Sequence, residues 1–216
     1  MIKVLGGNRT LMDQYISELR DAEIQKDGLR FRLNLERASE IFAYEISKQL
    51  NYKDKEVITS LGVAEVPVIA DNIVIASILR AGIPMHNGML RYFDHAENAF
   101  ISAYRKYKKN DEFRIEVEYV SSADLEGKVL ILCDPMLATG ASMVLCHKEL
   151  VNFGKPSHTH FVSLLASSEG IEYIKKHLPS ENITLWVGAV DDELTAAAYI
   201  VPGLGDAGDL AFGKKI

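Results

Sequence analysis

The stretch with the most chemical content is Asp134-Pro135-Met136-Leu137-Ala138-Thr139-Gly140-Ala141-Ser142, between the apolar run Val129–Cys133 (VLILC) and a helical pattern. In open parallel sheets, ligands bind beyond the carboxyl ends of the strands, so the polar turn after a buried run is the first place to look. A glycine-containing turn that feeds a helix offers a phosphate its backbone N–H groups and the positive end of the helix dipole. Thr139 and Ser142 add hydroxyl donors, and Asp134 can accept hydrogen bonds from sugar hydroxyls. An acid at a strand end, with a phosphate cradle a few residues later, fits a ribose 5-phosphate. The plain alternative is an ordinary strand-to-helix turn with an Asp cap. This turn has neither the Walker spacing nor G-x-G-x-x-G, which disfavours a P-loop or a dinucleotide fold.

The wording of that turn is specific. VLILCDPMLATGAS resembles the phosphoribosyl-diphosphate motif of the type I phosphoribosyltransferases, and Asp-Pro-Met-Leu-Ala-Thr-Gly is similar to the uracil phosphoribosyltransferase family in particular. Two further stretches agree with it, Ile78-Leu79-Arg80-Ala81-Gly82 and Tyr199-Ile200-Val201-Pro202-Gly203-Leu204-Gly205-Asp206-Ala207-Gly208-Asp209. The likeness runs from about Arg37 to Gly213.

The resemblance implies a role for each residue. Arg80 meets the diphosphate of phosphoribosyl diphosphate (PRPP), which a guanidinium can clamp with several donors. Arg105 closes over the same diphosphate as a catalytic residue. Asp134 holds ribose hydroxyls, and Pro135, Met136, Leu137, Ala138, Thr139, Gly140, Ala141 and Ser142 bring the loop around the 5-phosphate. Ile200, Gly205 and Ala207 offer backbone groups to uracil, and the catalytic Asp206 faces both the reacting ribose and the base. No residue is expected as a dedicated metal ligand; Mg²⁺ is carried mainly by PRPP. The implied reaction is uracil plus PRPP giving UMP and diphosphate, a step of pyrimidine salvage. Without the resemblance, Arg80 and Arg105 fit surface salt bridges equally well, and Asp206 fits a turn acid flanked by Gly205 and Gly208. Ala141 stands where many relatives have glycine, which is harmless to phosphate binding if its φ is negative. Pro135 replaces a second acid found in many other phosphoribosyltransferases. A phosphoribosyltransferase for another base and an RNA-binding pyrimidine regulator on the same fold remain open alternatives.

The surrounding pattern must position these loops. Ile73–Leu79, Val129–Cys133, Phe161–Ala166 and Ile183–Val190 are short apolar runs that read as buried strands. Helical patterns lie between them, at about 84–93, 142–153 ending near Gly154, and 169–178 stopped by Pro179. Strands alternating with helices imply an α/β fold with a mainly parallel sheet flanked by helices. The first fifty or so residues read as a helical arm, with Leu33, Ala38, Ile41, Phe42 and Ile46 on an apolar stripe. Phe113–Tyr119 (FRIEVEY) alternates strictly, which gives one arm of a protruding β-hairpin over about residues 100–122 or a plain edge strand. The expected division is a single domain, 1–216, with a helical arm at 1–56, a core at 57–190 and a base-binding segment at 191–216.

Composition narrows the function classes. The chain has 216 residues, 48% hydrophobic and 25% charged, which is ordinary globular usage. With 24 Lys+Arg against 30 Asp+Glu, the net charge of −6 argues against nucleic-acid or membrane partners. It leaves room for a small phosphorylated substrate held by local arginines. Cys133 and Cys146 make no C-x-x-C pair, and the start lacks a signal-peptide profile, so a reducing cytoplasm is expected. A homo-oligomer, dimer or higher, is the expected assembly. His158-x-His160 lacks a nearby third ligand, Lys106, Lys108 and Lys109 read as a solvated turn, and Cys146 reads as a small buried thiol.

Overall fold

The computed structural model describes residues 1–107, 113–178 and 181–215, with the backbone alone over 104–107 and 113–116. In chain order the elements begin with β1 (Ile2–Val4), α1 (Leu11–Arg20), α2 (Gly28–Ser47), β2 (Tyr52–Thr59), β3 (Gly62–Ile69), β4 (Ile73–Leu79) and α3 (Gly82–Leu90). Next come β5 (Glu97–Tyr107), β6 (Phe113–Ser121), β7 (Val129–Cys133), β8 (Met136–Leu137), α4 (Ala141–Leu150), β9 (His158–Ser167) and α5 (Ser168–His177). The chain ends with β10 (Ile183–Asp191), β11 (Glu193–Leu194), β12 (Ile200–Val201) and α6 (Ala207–Phe212).

The four apolar runs form the middle of the fold because strands covered on both faces must be apolar at successive positions. The main sheet has the order β1-β10-β9-β7-β4-β5-β6, with β8 pairing on β9. All its neighbours are parallel except β5 and β6. Alternate residues of each strand enter opposite cores. Ile73, Ile75, Ile131 and Cys133 pack with α1, α2 and α3 through Met12, Leu35, Phe42, Met85 and Met89. Val74, Ala76, Ile78, Leu130 and Leu132 pack with α4 and α5 through Met143, Cys146, Ile171 and Ile174. This is the expected α/β sandwich of helices on both faces.

Three regions differ from the sequence reading. The N-terminal segment is not wholly helical: Ile2–Val4 pair with Leu185–Val187 and extend the main sheet by one strand. The boundary expected at residue 56 falls inside β2, and β2 and β3 pair as a separate antiparallel ribbon. The hairpin and the edge strand are one object, since β6 is the last strand of the sheet and pairs antiparallel with β5. Its strict alternation breaks at a bulge, where Ser102 pairs with Tyr119 and Ala103 with Val117. The extra residue, Glu118, changes which positions face inward. Val117 and Val120 therefore pack on the core while Tyr119 is 56% exposed. Of the residues expected in a solvated turn, Lys106 instead lies on β5, and Lys108 and Lys109 lie outside the described residues.

Candidate active site

The sheet order places β4 between β5 and β7. The chain leaves β4 toward α3 on one face and leaves β7 toward α4 on the other. Two loops that diverge from adjacent parallel strands leave a crevice at their carboxyl ends. A cleft of about 440 Å³ opens there, lined by Arg80, Asp134, Met136, Ala138, Ser142, Ile200, Gly205, Asp206 and Ala207 among others. Three stretches separated by more than fifty residues each thus meet in one cavity.

The loop after β7 is held from behind. The Ser167 hydroxyl caps α5 by accepting the Gly170 N–H at 2.8 Å, and it donates to the Ala138 carbonyl. A Cβ on Gly170 would lie 2.4 Å from that carbonyl, and one on Gly140 would lie 2.7 Å from the Gly170 carbonyl. Gly140 also has φ +77°, so it can both make the turn and touch α5. Ala141 is the first residue of α4, and its helical conformation makes the replacement of glycine tolerable. The early N–H groups of α4 have no carbonyl partners within the helix and point along the axis toward the cleft end. Pro135 and Leu137 are buried, Leu137 at 2% exposure, and neither carries a polar side-chain atom. Neither lines the cleft, any hydrogen bond they offer a ligand is through the main chain, and the Pro135 carbonyl already accepts the Leu165 N–H at 3.0 Å.

Arg80 follows β4 directly, and the Leu79–Arg80 peptide is cis. Its Nη2 donates to Asp209 Oδ1 at 3.2 Å and to the Gly213 carbonyl at 3.0 Å. Its Nε is buried without a protein partner. Asp206 is the N-cap of α6, with Oδ1 accepting the Asp209 N–H at 2.9 Å. A Cβ on Gly208 would lie 3.2 Å from Asp206 Oδ1 and 3.9 Å from Arg80 Nη2. A side chain at 208 would therefore crowd the Asp206 carboxylate. Gly203-x-Gly205-x-x-Gly208 has the glycine spacing of a dinucleotide turn, but it follows the two-residue β12 of the small β11–β12 ribbon and not a strand of the main sheet. The context that would give that motif its dinucleotide meaning is missing. Arg105 lies on β5, which borders the cleft at Ala103; its side chain is outside the described residues.

Sequence reasoning missed Tyr199 and Lys215, which also line the cleft. Lys215 arrives on the C-terminal tail, whose main chain is tied down where the Lys215 N–H donates to Asp209 Oδ1. Nothing in a basic terminal tripeptide signals that fold-back. His158 and His160 lie far from the cleft, at the amino end of β9, and are accounted for by Thr184 and Trp186.

Burial pushes the Asp134 carboxyl up to about 7, against the opposing effects of the Met136 N–H and the Lys215 charge. A carboxylate in that position is costly to the fold. The unfolded chain ionises near its ordinary value of 3.8, whereas the folded protein resists ionising until about pH 7. Stability from this group is therefore complete below the unfolded value and falls as pH rises through that interval. Asp134→Asn is expected to raise Tm, by roughly 5 °C at pH 8 and by little at pH 4. Thermal unfolding across that pH range checks the sign; a gain that is equal at both ends, or a loss at pH 8, contradicts it.

Comparison with known proteins agrees with this site. The family model for uracil phosphoribosyltransferase matches residues 7–214. The chain is 51% identical over 212 residues to the uracil phosphoribosyltransferase of Porphyromonas gingivalis, covering 98% of each. It is 36% identical over 206 residues to that of Pyrococcus furiosus, covering 94% of this chain and 86% of the relative. Among solved structures it is similar to the AQ2163 protein from Aquifex aeolicus, with a TM-score of 0.87, 28% identity and full coverage of both chains. A match that spans nearly the whole chain, including all three stretches that meet in the cleft, shows that the chain belongs to the uracil phosphoribosyltransferase family.

Proposed function

We propose that the cleft binds PRPP and uracil and transfers the 5-phosphoribosyl group to the base, giving UMP and diphosphate. The observation that carries this reading is the meeting of a helix N-terminus, an arginine, a strand-end acid and a glycine-rich main-chain segment in one cavity at the sheet's switch point. The 5-phosphate sits at Ala138–Ser142 on the N-terminus of α4, and Asp134 accepts from ribose hydroxyls. The diphosphate lies toward Arg80, whose buried Nε supplies a donor not used by the protein. Arg105 reaches the same group from β5. The base stacks into the segment from Ile200 to Ala207.

In the reaction the bond between C1 of ribose and diphosphate breaks as N1 of uracil bonds to C1 from the opposite face. The N1 proton is released to water, and negative charge collects on the departing diphosphate. The guanidinium groups stabilise that charge from fixed positions, which lowers the barrier without a covalent intermediate. Asp206, fixed by its cap to Asp209, faces the carbon on which positive charge develops and the base that loses a proton. Among the described residues no group of three or more His, Cys, Asp or Glu side chains stands together as a metal cage. Asp134 and Asp206 alone fit Mg²⁺ held mainly by PRPP oxygens and water. When bound, that ion neutralises charge on the diphosphate.

The assembly and setting follow the same reading. The whole chain serves one phosphoribosyltransferase domain, and its β2–β3 ribbon exposes Ile58 at 88% and Leu61 at 97%. A lone two-stranded ribbon with exposed apolar residues is marginal in water, which supports a homo-oligomer that covers it. No helix among the described residues is long and apolar enough to cross a membrane. Both cysteines are buried free thiols, and burial pushes each up well above the ordinary range, in keeping with a reducing cytoplasm.

Two outcomes test the reading. Main-chain N–H groups at Gly205–Ala207 suit the carbonyl oxygens of uracil, and a main-chain carbonyl suits its N3–H. Cytosine puts an amino group where uracil has O4 and has no N3 proton, so buried groups go unpaired at about 1–3 kcal/mol each. Comparison of kcat/KM for uracil, cytosine, hypoxanthine and orotate should show uracil ahead of cytosine by roughly 10³-fold. Comparable use of cytosine, or a preference for a purine, gives the site to another base. Asp206→Asn keeps an equally good helix cap and removes the charge, so Tm should stay within about 1 °C while single-turnover rates fall by about 10²-fold. Asp206→Ala should lose the cap as well, at about 1 kcal/mol. Wild-type single-turnover rates in the Asn variant would remove Asp206 from the chemistry.

A further inference from the structure

The base segment is anchored by residues that do not line the cleft. Asp191 ends β10 and is 7% exposed. Arg20, the last residue of α1, meets it in a two-pronged ion pair, Nη2 to Oδ1 at 2.7 Å and Nη1 to Oδ2 at 2.8 Å. The same Nη1 donates to the Gly203 carbonyl at 2.9 Å, and Asp191 Oδ2 accepts the Gly203 N–H at 3.1 Å. Both main-chain polar groups of Gly203 are thus held by one charged pair. Gly203 in turn fixes its neighbours. With φ +55°, it places its Cα so close to Ile200 that a Cβ there would lie 2.0 Å from the Ile200 carbonyl oxygen. Two residues on, Gly205 lines the cleft with Asp206 and Ala207.

We infer that Arg20 and Asp191 form a positioning clamp which, through the main chain of Gly203, sets the geometry of the Ile200–Ala207 segment and thereby affinity for the pyrimidine. The inference rests on the reading of that segment as the base site. It assigns to α1, a helix with no residue in the cleft, the task of bracing one substrate and not the other. Main-chain recognition makes such a brace necessary, because no side chain in the segment can readjust to restore a displaced N–H or carbonyl. The PRPP loop is braced separately, by Ser167 and the start of α5. Loss of the clamp should therefore act on one substrate selectively. A purely structural role would weaken both or neither.

Initial-rate kinetics with each substrate varied in turn, alongside thermal unfolding, test the clamp in four variants. Asp191→Asn removes the charge but keeps an acceptor, and Arg20→Lys keeps the charge but loses the fork. Each should raise KM for uracil, Asp191→Asn by about tenfold or more, while KM for PRPP stays within about twofold. Arg30→Ala breaks the Glu18–Arg30 pair at 2.9 Å, which joins the same helix to α2 without touching the segment. It should lower Tm and leave KM for uracil unchanged. Ala207→Val, on the cleft wall, should raise KM for uracil if the segment holds the base at all. An unchanged KM for uracil in folded Asp191→Asn and Arg20→Lys, with Ala207→Val impaired, overturns the clamp alone. A parallel rise of both KM values, matched by Arg30→Ala, reduces it to general stability. If Ala207→Val is also silent, the base-site reading falls and takes the clamp with it.

Discussion

The arrangement of this site depends on the close approach of two strands that part company. β4 and β7 run side by side, and their chains then leave toward opposite faces. At the point of departure the Gly82 backbone is pressed against β7 and β4. A Cβ there would lie 2.7 Å from the Cys133 carbonyl and 2.7 Å from Ser77 Oγ. A larger residue would push α3 away from the strand end and carry Arg80 with it. Only because the backbone packs this closely can Arg80 and Asp134 face the same cavity. Two further parts of the site are attached to that junction, α4 by its glycine turn and α6 by the Arg80–Asp209 contact, while the Ile200–Ala207 segment is held from β10 and α1 through Gly203.

The cavity also concentrates groups that the fold accommodates at a cost. Asp134 is pushed toward neutrality by burial, and the nearby Lys215 charge only partly offsets this. Arg80 keeps a buried N–H without an acceptor. These are the features expected where function displaces the optimum for stability, since a ligand with hydroxyls and phosphates can satisfy what the protein leaves unsatisfied. Elsewhere the large side chains Phe31, Phe42, Phe161 and Trp186 are fully buried, and the Trp186 N–H finds a partner in His160.

Legibility in the sequence followed the physics of each element. β4 and β7 were delimited to the residue because a strand covered on both faces is a continuous apolar run with polar ends. The turn at Asp134–Ser142, proposed here to hold the phosphate, stood out because its parts are local: strand, glycine, hydroxyls and helix follow in order. β1 was not, since three residues cannot display a period and its partner lies near residue 186. The β2–β3 ribbon escaped because its strands are exposed on both faces, so neither alternation nor a continuous run marks them. Lys215 and the Arg20–Asp191 pair were invisible for a different reason. They depend on contacts between segments up to 171 residues apart, and a single sequence does not carry that proximity.

The central claim is that the N-terminus of α4, at the switch point, holds the ribose phosphate shared by PRPP and UMP. Amide hydrogen exchange of the free protein and of its complexes with each of these ligands addresses it directly, because exchange reports protection of individual main-chain groups. Both ligands should slow exchange at Thr139–Met143, and both should leave the β2–β3 ribbon as it is in the free protein. Binding of PRPP and UMP with unchanged exchange at Thr139–Met143, and protection concentrated elsewhere, would contradict the account.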